Sequence, residues 1–164
     1  MQLILDSDSS MLWFPTIKCL SCKGGTARFD TKASLSYNQI SKSLQTYKYD
    51  AGEVKGYTCE EQVWLTDTIK IDKVPCLAVT EQSDLDDMKV DGVLGLSPLS
   101  LLDLMKDSEI IGRRAISFML RKPGTRSTFA FGELEADIAL ANSNTATLAM
   151  HKEGQVYSVH LQSS

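Results

Sequence analysis

The sequence contains few of the residues that build histidine-based sites. Only two histidines, His151 and His160, occur in 164 residues. Neither has a cysteine or carboxylate at a ligand-like spacing, so we interpret both as surface residues. The Gly-x-Ser-x-Gly elbow of serine hydrolases is also absent. We therefore expect no metal site, no cofactor and no serine-hydrolase chemistry.

The chain also lacks a basic block and a long apolar segment. Its net charge is -4, and no cluster of Lys and Arg supplies the basic face that nucleic-acid phosphates require. No apolar run approaches the roughly 20 residues that span a bilayer. Met1 is followed at once by Gln2 and a short apolar run, without the basic region of a secretory signal. We expect neither a nucleic-acid nor a membrane partner, and no signal peptide in this chain.

What the sequence does contain is alternation of apolar and polar residues. Hydrophobic residues make up 43% and charged residues 23%, which is typical of one globular domain over residues 1–164. Period-two alternation predicts half-buried strands at residues 68–72, 115–120 and 157–161. The fold class predicted is therefore all-β, with one or two short helices.

Turn and capping residues divide the predicted strands. Short apolar runs at 3–5 and 92–96 predict buried central strands, and residues 122–125 and 152–155 predict turns. Ser97 and Pro98 suit the start of a helix, and Gly112 suits its end. A second short helical turn is expected at residues 41–44.

The four cysteines form two pairs in sequence, Cys19 with Cys22 and Cys59 with Cys76. We predict disulfides for both pairs, with a zinc site and free thiols as the alternatives that this spacing also allows. A hairpin that turns near Asp67 places Cys59 and Cys76 opposite each other on adjacent strands. A disulfide there would close an 18-residue loop, worth about 3 kcal/mol, although its geometry is demanding.

Four segments carry a family resemblance. Residues 3–15 read Leu-Ile-Leu-Asp-Ser-Asp-Ser-Ser-Met-Leu-Trp-Phe-Pro, and residues 29–37 read Phe-Asp-Thr-Lys-Ala-Ser-Leu-Ser-Tyr. Residues 49–52 read Tyr-Asp-Ala-Gly, and residues 91–96 read Asp-Gly-Val-Leu-Gly-Leu. In order and spacing these resemble the Asp-Thr-Gly-Ser-Ser loop, the following Phe-Asp segment, the flap and the Asp-Gly-Ile-Leu-Gly-Leu strand of pepsin-like aspartic proteases. The chain resembles the N-terminal lobe of that family.

The resemblance implies roles for five residues. Asp6 would be one of two catalytic aspartates, which share a proton and activate water against a peptide bond. Ser9 would hydrogen-bond the Asp6 carboxylate, and Ser7 would make the contact to the other lobe. Tyr49 would lie in the flap over the substrate cleft, with its hydroxyl oriented by the Trp13 indole N–H. The substrate would be a polypeptide.

The resemblance also implies an incomplete enzyme. Residues 1–164 would form one lobe of a bilobal fold, without the first strand, the propeptide and the C-terminal lobe that holds the second aspartate. Activity would require a second lobe, either C-terminal or from a homodimer. The Cys19–Cys22 pair falls where the family often has a small disulfide loop. The family and its cysteines imply a secretory, vacuolar, lysosomal or extracellular location.

Two departures favour an alternative function. Asp8 stands where the family signature has glycine, and Asp50 replaces a glycine of the flap. A second carboxylate beside Asp6 raises the cost of ionising that site. The alternative is a catalytically inactive pepsin-like module that binds peptides or has a structural role.

Overall fold

The computed structural model describes residues 1–97, 101–125, 127–132, 151–153 and 156–158, the last two ranges as backbone only. The chain divides into two compact units, Met1–Leu101 and Leu102–Ser164, and each is described by itself. Strands dominate, so the all-β prediction is confirmed. No helix in the described part of the chain is long and apolar enough to cross a membrane.

The first unit is built on one seven-stranded sheet. Its strands are β1 (Leu3–Asp6), β2 (Leu12–Pro15), β3 (Asn38–Gln39), β4 (Gln45–Lys48), β5 (Glu53–Trp64), β6 (Lys70–Ser83) and β7 (Gly92–Gly95). The order across the sheet is β1-β7-β2-β6-β5-β3, and β4 also pairs with β5. The β1–β7 and β2–β6 pairs are parallel, and the other pairs are antiparallel.

The sheet core lies under β2, β6 and β7. All four residues of β2 and all four of β7 are buried, as expected for strands that have neighbours on both sides. Trp13, Leu77, Val79 and Val93 form the centre of this cluster. Removing such large apolar side chains from water is the main source of stability here.

The run at residues 3–5 was predicted to be a buried central strand, and this is wrong. Strand β1 ends the sheet order, and Ile4 and Leu5 are 43% and 39% exposed. A short apolar run carries no information about how many neighbours its strand has. The matching prediction for residues 92–96 is confirmed, because β7 lies between β1 and β2.

The second unit contains α1 (Leu101–Asp107), β8 (Ile116–Met119), β9 (Thr128–Phe131), β10 (His151–Glu153) and β11 (Val156–Ser158). Strands β8 and β9 form the predicted hairpin, and its turn is closed by Thr125 N–H donating to the Lys122 carbonyl at 3.0 Å. Strands β10 and β11 pair antiparallel. The predicted turn at 152–155, the strand end at 159–161 and the surface positions of both histidine side chains lie wholly or partly outside the described residues.

The helix boundaries differ from the prediction. Helix α1 ends at Asp107 rather than near Gly112, because Glu109 adopts φ 58 and the chain leaves the helical path there. Pro98 lies outside the described residues. The helical turn predicted at 41–44 is wrong, since this stretch is a bend in which the Ser41 hydroxyl donates to the Ser43 carbonyl at 3.0 Å.

The two cysteine pairs have different fates. Cys19 and Cys22 form a disulfide with Cα atoms 5.5 Å apart. Cys59 and Cys76 lie directly opposite each other in the β5–β6 ladder, as predicted, but both are free, buried thiols. The predicted second disulfide is therefore not formed. Opposite positions satisfy the register, whereas a disulfide also demands particular side-chain torsions that a regular ladder does not impose.

Candidate active site

Asp6 is the last residue of β1 and is held by its main chain. It pairs with Gly95 in the parallel β1–β7 ladder, and its carbonyl accepts a 2.7 Å hydrogen bond from Leu96 N–H. Its carboxylate is half-buried, and Oδ1 accepts a 2.9 Å hydrogen bond from Asp8 N–H. The strand end thus presents one oriented carboxylate at the sheet edge.

The loop after Asp6 is fastened to the end of β7. Gly95 N–H donates to the Met11 carbonyl at 3.1 Å, and Ser97 N–H donates to the Ser9 carbonyl at 3.0 Å. A Cβ at Gly95 would lie 2.5 Å from both Met11 N and Ser9 O. The glycine is required for this close approach of two backbones. The Asp-Gly-Val-Leu-Gly-Leu segment therefore shapes the Asp6 loop.

The two serines of the loop do not act on the carboxylate. Ser7 is exposed, and no second lobe is present against which its predicted contact could be judged. The hydroxyl of Ser9 is buried and makes no hydrogen bond to Asp6, so the predicted bond to Asp6 is wrong. The Ser9 hydroxyl instead acts on the phenol of Tyr49, whose pKa it lowers.

Asp8 retains one property of the glycine that it replaces. Asp8 is absent from the described residues with positive φ, so the loop here does not require a left-handed conformation. Its N–H still points at the Asp6 carboxylate, at 2.9 Å from Oδ1. Its own side chain is exposed. The replacement therefore adds a carboxylate near the site without removing the backbone donor.

Tyr49 and Trp13 meet as the sequence predicts. The Trp13 indole N–H donates to the Tyr49 hydroxyl at 2.7 Å, and the ring centroids are 6.3 Å apart. Burial raises the pKa of the Tyr49 phenol, the Trp13 hydrogen bond opposes this rise, and the charge of Asp6 adds to it. The phenol is therefore kept neutral at the edge of the site. The role of Tyr49 over a bound substrate stays a prediction.

Tyr49 belongs to a hairpin, which we name the flap hairpin, formed by β4, β5 and the turn between them. Tyr49 N–H donates to the Gly52 carbonyl at 2.7 Å, and Gly52 N–H donates back at 3.3 Å. Asp50 is exposed at the tip. This is the hairpin predicted from residues 49–52.

A cleft pocket of about 350 Å³ lies between Asp6 and the flap hairpin. Its apolar walls come from Ile4, Trp13, Ala51, Leu85, Met88 and Val93. Its polar lining comes from Asp6, Tyr49, Asp84 and Asp87. The pocket can receive an amphipathic side chain beside the Asp6 carboxylate.

Sequence reasoning did not identify the contribution of residues 84–88 to this pocket. These residues follow β6, and their position beside Asp6 depends on the parallel pairing of β2 with β6. The alternation of acidic residues with Leu85 and Met88 is the signal that could have indicated them. The pattern alone does not give the position of these residues, because their position depends on how β6 pairs in the sheet.

Asp91 has a structural role at the amino end of β1 and β7, the end opposite to Asp6. Its side chain is 5% exposed, Oδ2 accepts from Gln2 N–H at 2.6 Å, and Oδ1 accepts from Ala27 N–H at 2.8 Å. Burial opposes ionisation, but these backbone hydrogen bonds outweigh it and lower the pKa of the carboxyl.

Among the described residues, no three His, Cys, Asp or Glu side chains converge as metal ligands.

Comparison with known proteins agrees with this geometry. The sequence model of "Eukaryotic aspartyl protease" matches residues 1–164. Syncephapepsin of Syncephalastrum racemosum is 34% identical over 95 residues, covering 58% of this chain and 24% of that protein. Chymosin of Camelus dromedarius is 26% identical over 143 residues, which cover 80% of this chain and 37% of chymosin. Pregnancy-associated glycoprotein 4 of Ovis aries is 28% identical over 130 residues, which cover 74% of this chain and 34% of that protein.

These matches define the extent of the likeness. The chain spans about a quarter to a little over a third of the length of these curated relatives. The family match, in contrast, runs from the first residue to the last. The chain belongs to the eukaryotic aspartyl protease family.

Proposed function

We propose that this chain provides the Asp6 half of a two-aspartate site in an aspartic endopeptidase. Asp6 carries one carboxylate, and a second lobe, either C-terminal or from another copy of the chain, brings the partner aspartate. One carboxylate of such a pair is charged and activates a water that attacks the peptide carbonyl. The other is protonated and donates to the carbonyl oxygen or the leaving nitrogen.

The observation that carries this proposal is the position of Asp6. A half-buried carboxylate at a strand end, oriented by the Asp8 N–H, faces a pocket closed on one side by Tyr49 of the flap hairpin. The buried Trp13–Tyr49 hydrogen bond fixes the phenol there. This arrangement leaves room for a peptide side chain beside the carboxylate of Asp6.

Cleavage of denatured haemoglobin at acid pH tests the proposal. If two copies form the site, the initial rate of the chain alone rises with about the square of its concentration at low concentration. If a C-terminal lobe is required, the chain alone cleaves no haemoglobin. A preparation that also contains such a lobe then cleaves it and is inhibited by pepstatin. Absence of pepstatin-sensitive cleavage in both preparations would contradict the proposal.

An inactive pepsin-like module that binds peptides is the second candidate. It is favoured by the exposed carboxylates of Asp8 and Asp50 at positions that are glycine in the family signature, and by the hydroxyl of Ser9, which makes no hydrogen bond to Asp6. Under this alternative, both preparations bind peptides in the cleft but cleave none. Pepstatin-sensitive proteolysis excludes it.

The Cys19–Cys22 disulfide supports an oxidising location for the protein, such as a secretory or vacuolar lumen. Mass spectrometry of the native protein under alkylating conditions tests this. Recovery of Cys19 and Cys22 in the alkylated form would contradict an oxidising location.

A further inference from the structure

The cleft pocket combines apolar walls with a rim of one charge sign. Trp13, Met88 and Val93 line its depth, while Asp84 and Asp87 lie on its lining together with Asp6. None of its lining residues is Lys, Arg or His. The pocket therefore offers contact to an alkyl chain and an attractive field to a cation at the same place.

The turn after β6 explains this division. Leu85 and Met88 are partly buried and pack against the core cluster that contains Trp13 and Val93. Their neighbours Asp84 and Asp87 are exposed. The turn is closed by Met88 N–H donating to the Leu85 carbonyl at 3.1 Å. Packing of the two apolar side chains thus fixes the two carboxylates at the rim.

The two rim carboxylates are unpaired. Within the described residues, neither Asp84 nor Asp87 has an ion pair or a hydrogen-bond partner, whereas Asp86 between them pairs with Lys23 at 2.7 Å. A ligand cation would meet charges that are not already neutralised. Asp84 is also held at φ 57, a conformation that aspartate tolerates better than most residues.

We propose that this pocket selects peptide substrates with a lysine or arginine side chain, whose alkyl stem lies along Met88 and Trp13 and whose cation lies between Asp84 and Asp87. The inference rests on the proposed function, because it assumes a polypeptide in the cleft. A purely apolar side chain would fill the walls but leave both carboxylates without a partner. Charge complementarity therefore decides for a basic residue.

Peptide binding to the 164-residue chain tests this selectivity without any need for cleavage. The probes are two capped pentapeptides of alanine with either lysine or norleucine at the centre, which share a four-carbon side chain and differ in the terminal ammonium group. The readout is the indole N–H resonance of Trp13, observed near neutral pH in a Trp64→Phe background that leaves one tryptophan. We expect the lysine peptide to bind about threefold to tenfold more tightly.

Matched variants assign the preference. We expect the double variant Asp84→Asn with Asp87→Asn to lose the preference for the lysine peptide and to bind the norleucine peptide as tightly as before. Asparagine also tolerates the positive φ at position 84. Asp86→Asn removes one negative charge beside the pocket, and we expect the lysine preference to be kept; each single variant, Asp84→Asn or Asp87→Asn, is expected to weaken it. Added salt weakens the binding of the lysine peptide and leaves the binding of the norleucine peptide unchanged. Equal or tighter norleucine binding, a preference that survives the double variant, or no response of Trp13 to either peptide would overturn the proposal.

Failure of this inference and failure of the proposed function are distinguishable. An active protease without the lysine preference refutes only the selectivity. Selective binding of the lysine peptide, together with absence of pepstatin-sensitive cleavage in both preparations, refutes only the catalytic function.

Discussion

The Trp13–Tyr49 hydrogen bond joins the sheet core to the flap hairpin through two single atoms. Trp13 is 1% exposed, and among the described residues its indole N–H donates only to the Tyr49 hydroxyl. A buried donor without a partner costs about 1–3 kcal/mol, so the two residues are energetically coupled. At the scale of single residues, this bond holds the Tyr49 phenol beside the cleft pocket.

A double-mutant cycle measures that coupling. We expect Trp13→Phe and Tyr49→Phe together to lower the free energy of unfolding by about 1 kcal/mol less than the sum of the single variants. Urea unfolding at neutral pH gives all four values. Trp64→Phe, which removes an exposed indole, is the control and changes stability by less than about 0.5 kcal/mol. Strict additivity would show that the bond contributes nothing.

Asp91 uses both carboxylate oxygens as acceptors for backbone N–H groups. Asn can supply only one acceptor, so Asp91→Asn leaves one donor facing an NH₂ group and costs about 2 kcal/mol. The pKa of this carboxyl is lowered from 3.8 in the folded protein. Its contribution is therefore fully present above that value and is lost as pH falls through the lower folded value. Unfolding at a series of pH values around and below 3.8 measures the stability difference between the wild type and Asp91→Asn. A difference that grows as the pH falls would contradict this account.

At the scale of elements, the Asp6 loop depends on β7 more than on its own side chains. Backbone hydrogen bonds at Gly95, Leu96 and Ser97 hold the loop, and Gly95 has no space for a Cβ. We expect Gly95→Ala to lower stability by about 1–3 kcal/mol, because the loop and β7 must separate. Thermal unfolding measures this, with Ser10→Ala on the same loop as the exposed control. Equal stability of the two variants would show that the contact is dispensable.

The Cys59–Cys76 pair gives a second prediction for an element, the β5–β6 hairpin. Each thiol is 1% exposed, and the hydrogen bond with Cys59 together with burial raises the pKa of Cys76. Since the thiolate is the reactive form, neither cysteine is expected to react with iodoacetamide in the folded protein. Both react after unfolding in denaturant, as two mass additions. A protein that gives no addition after unfolding would hold a second disulfide instead.

Several elements could be predicted from the sequence because their causes are local. The flap turn follows from Gly52, and the β8–β9 turn follows from Pro123 and Gly124. The opposite positions of Cys59 and Cys76 follow from one hairpin register. The edge position of β1 and the lining of the pocket by residues 84–88 depend on which strands become neighbours, which no local pattern specifies. The orientation of the Ser9 hydroxyl likewise depends on where Tyr49 lies, since that hydroxyl acts on Tyr49 rather than on Asp6.

At the scale of the whole molecule, the chain has the fold of its family, and its cleft pocket has several carboxylates on its lining. Asp6, Asp84 and Asp87 line the pocket, and Asp50 lies at the tip of the flap hairpin. The chain covers only part of the length of its relatives, and a catalytic role for Asp6 is our proposal. The catalytic proposal therefore depends on Asp6.

The most direct measurement is the initial rate of haemoglobin cleavage at acid pH for the active preparation and its Asp6→Asn variant. We expect the substitution to lower the rate by at least about a thousandfold, because an amide can neither hold the shared proton nor activate water. Asp86→Asn, which removes a charge outside the pocket lining, is expected to retain the rate within about threefold. An Asp6→Asn variant that keeps a tenth or more of the wild-type rate would contradict the assignment of Asp6.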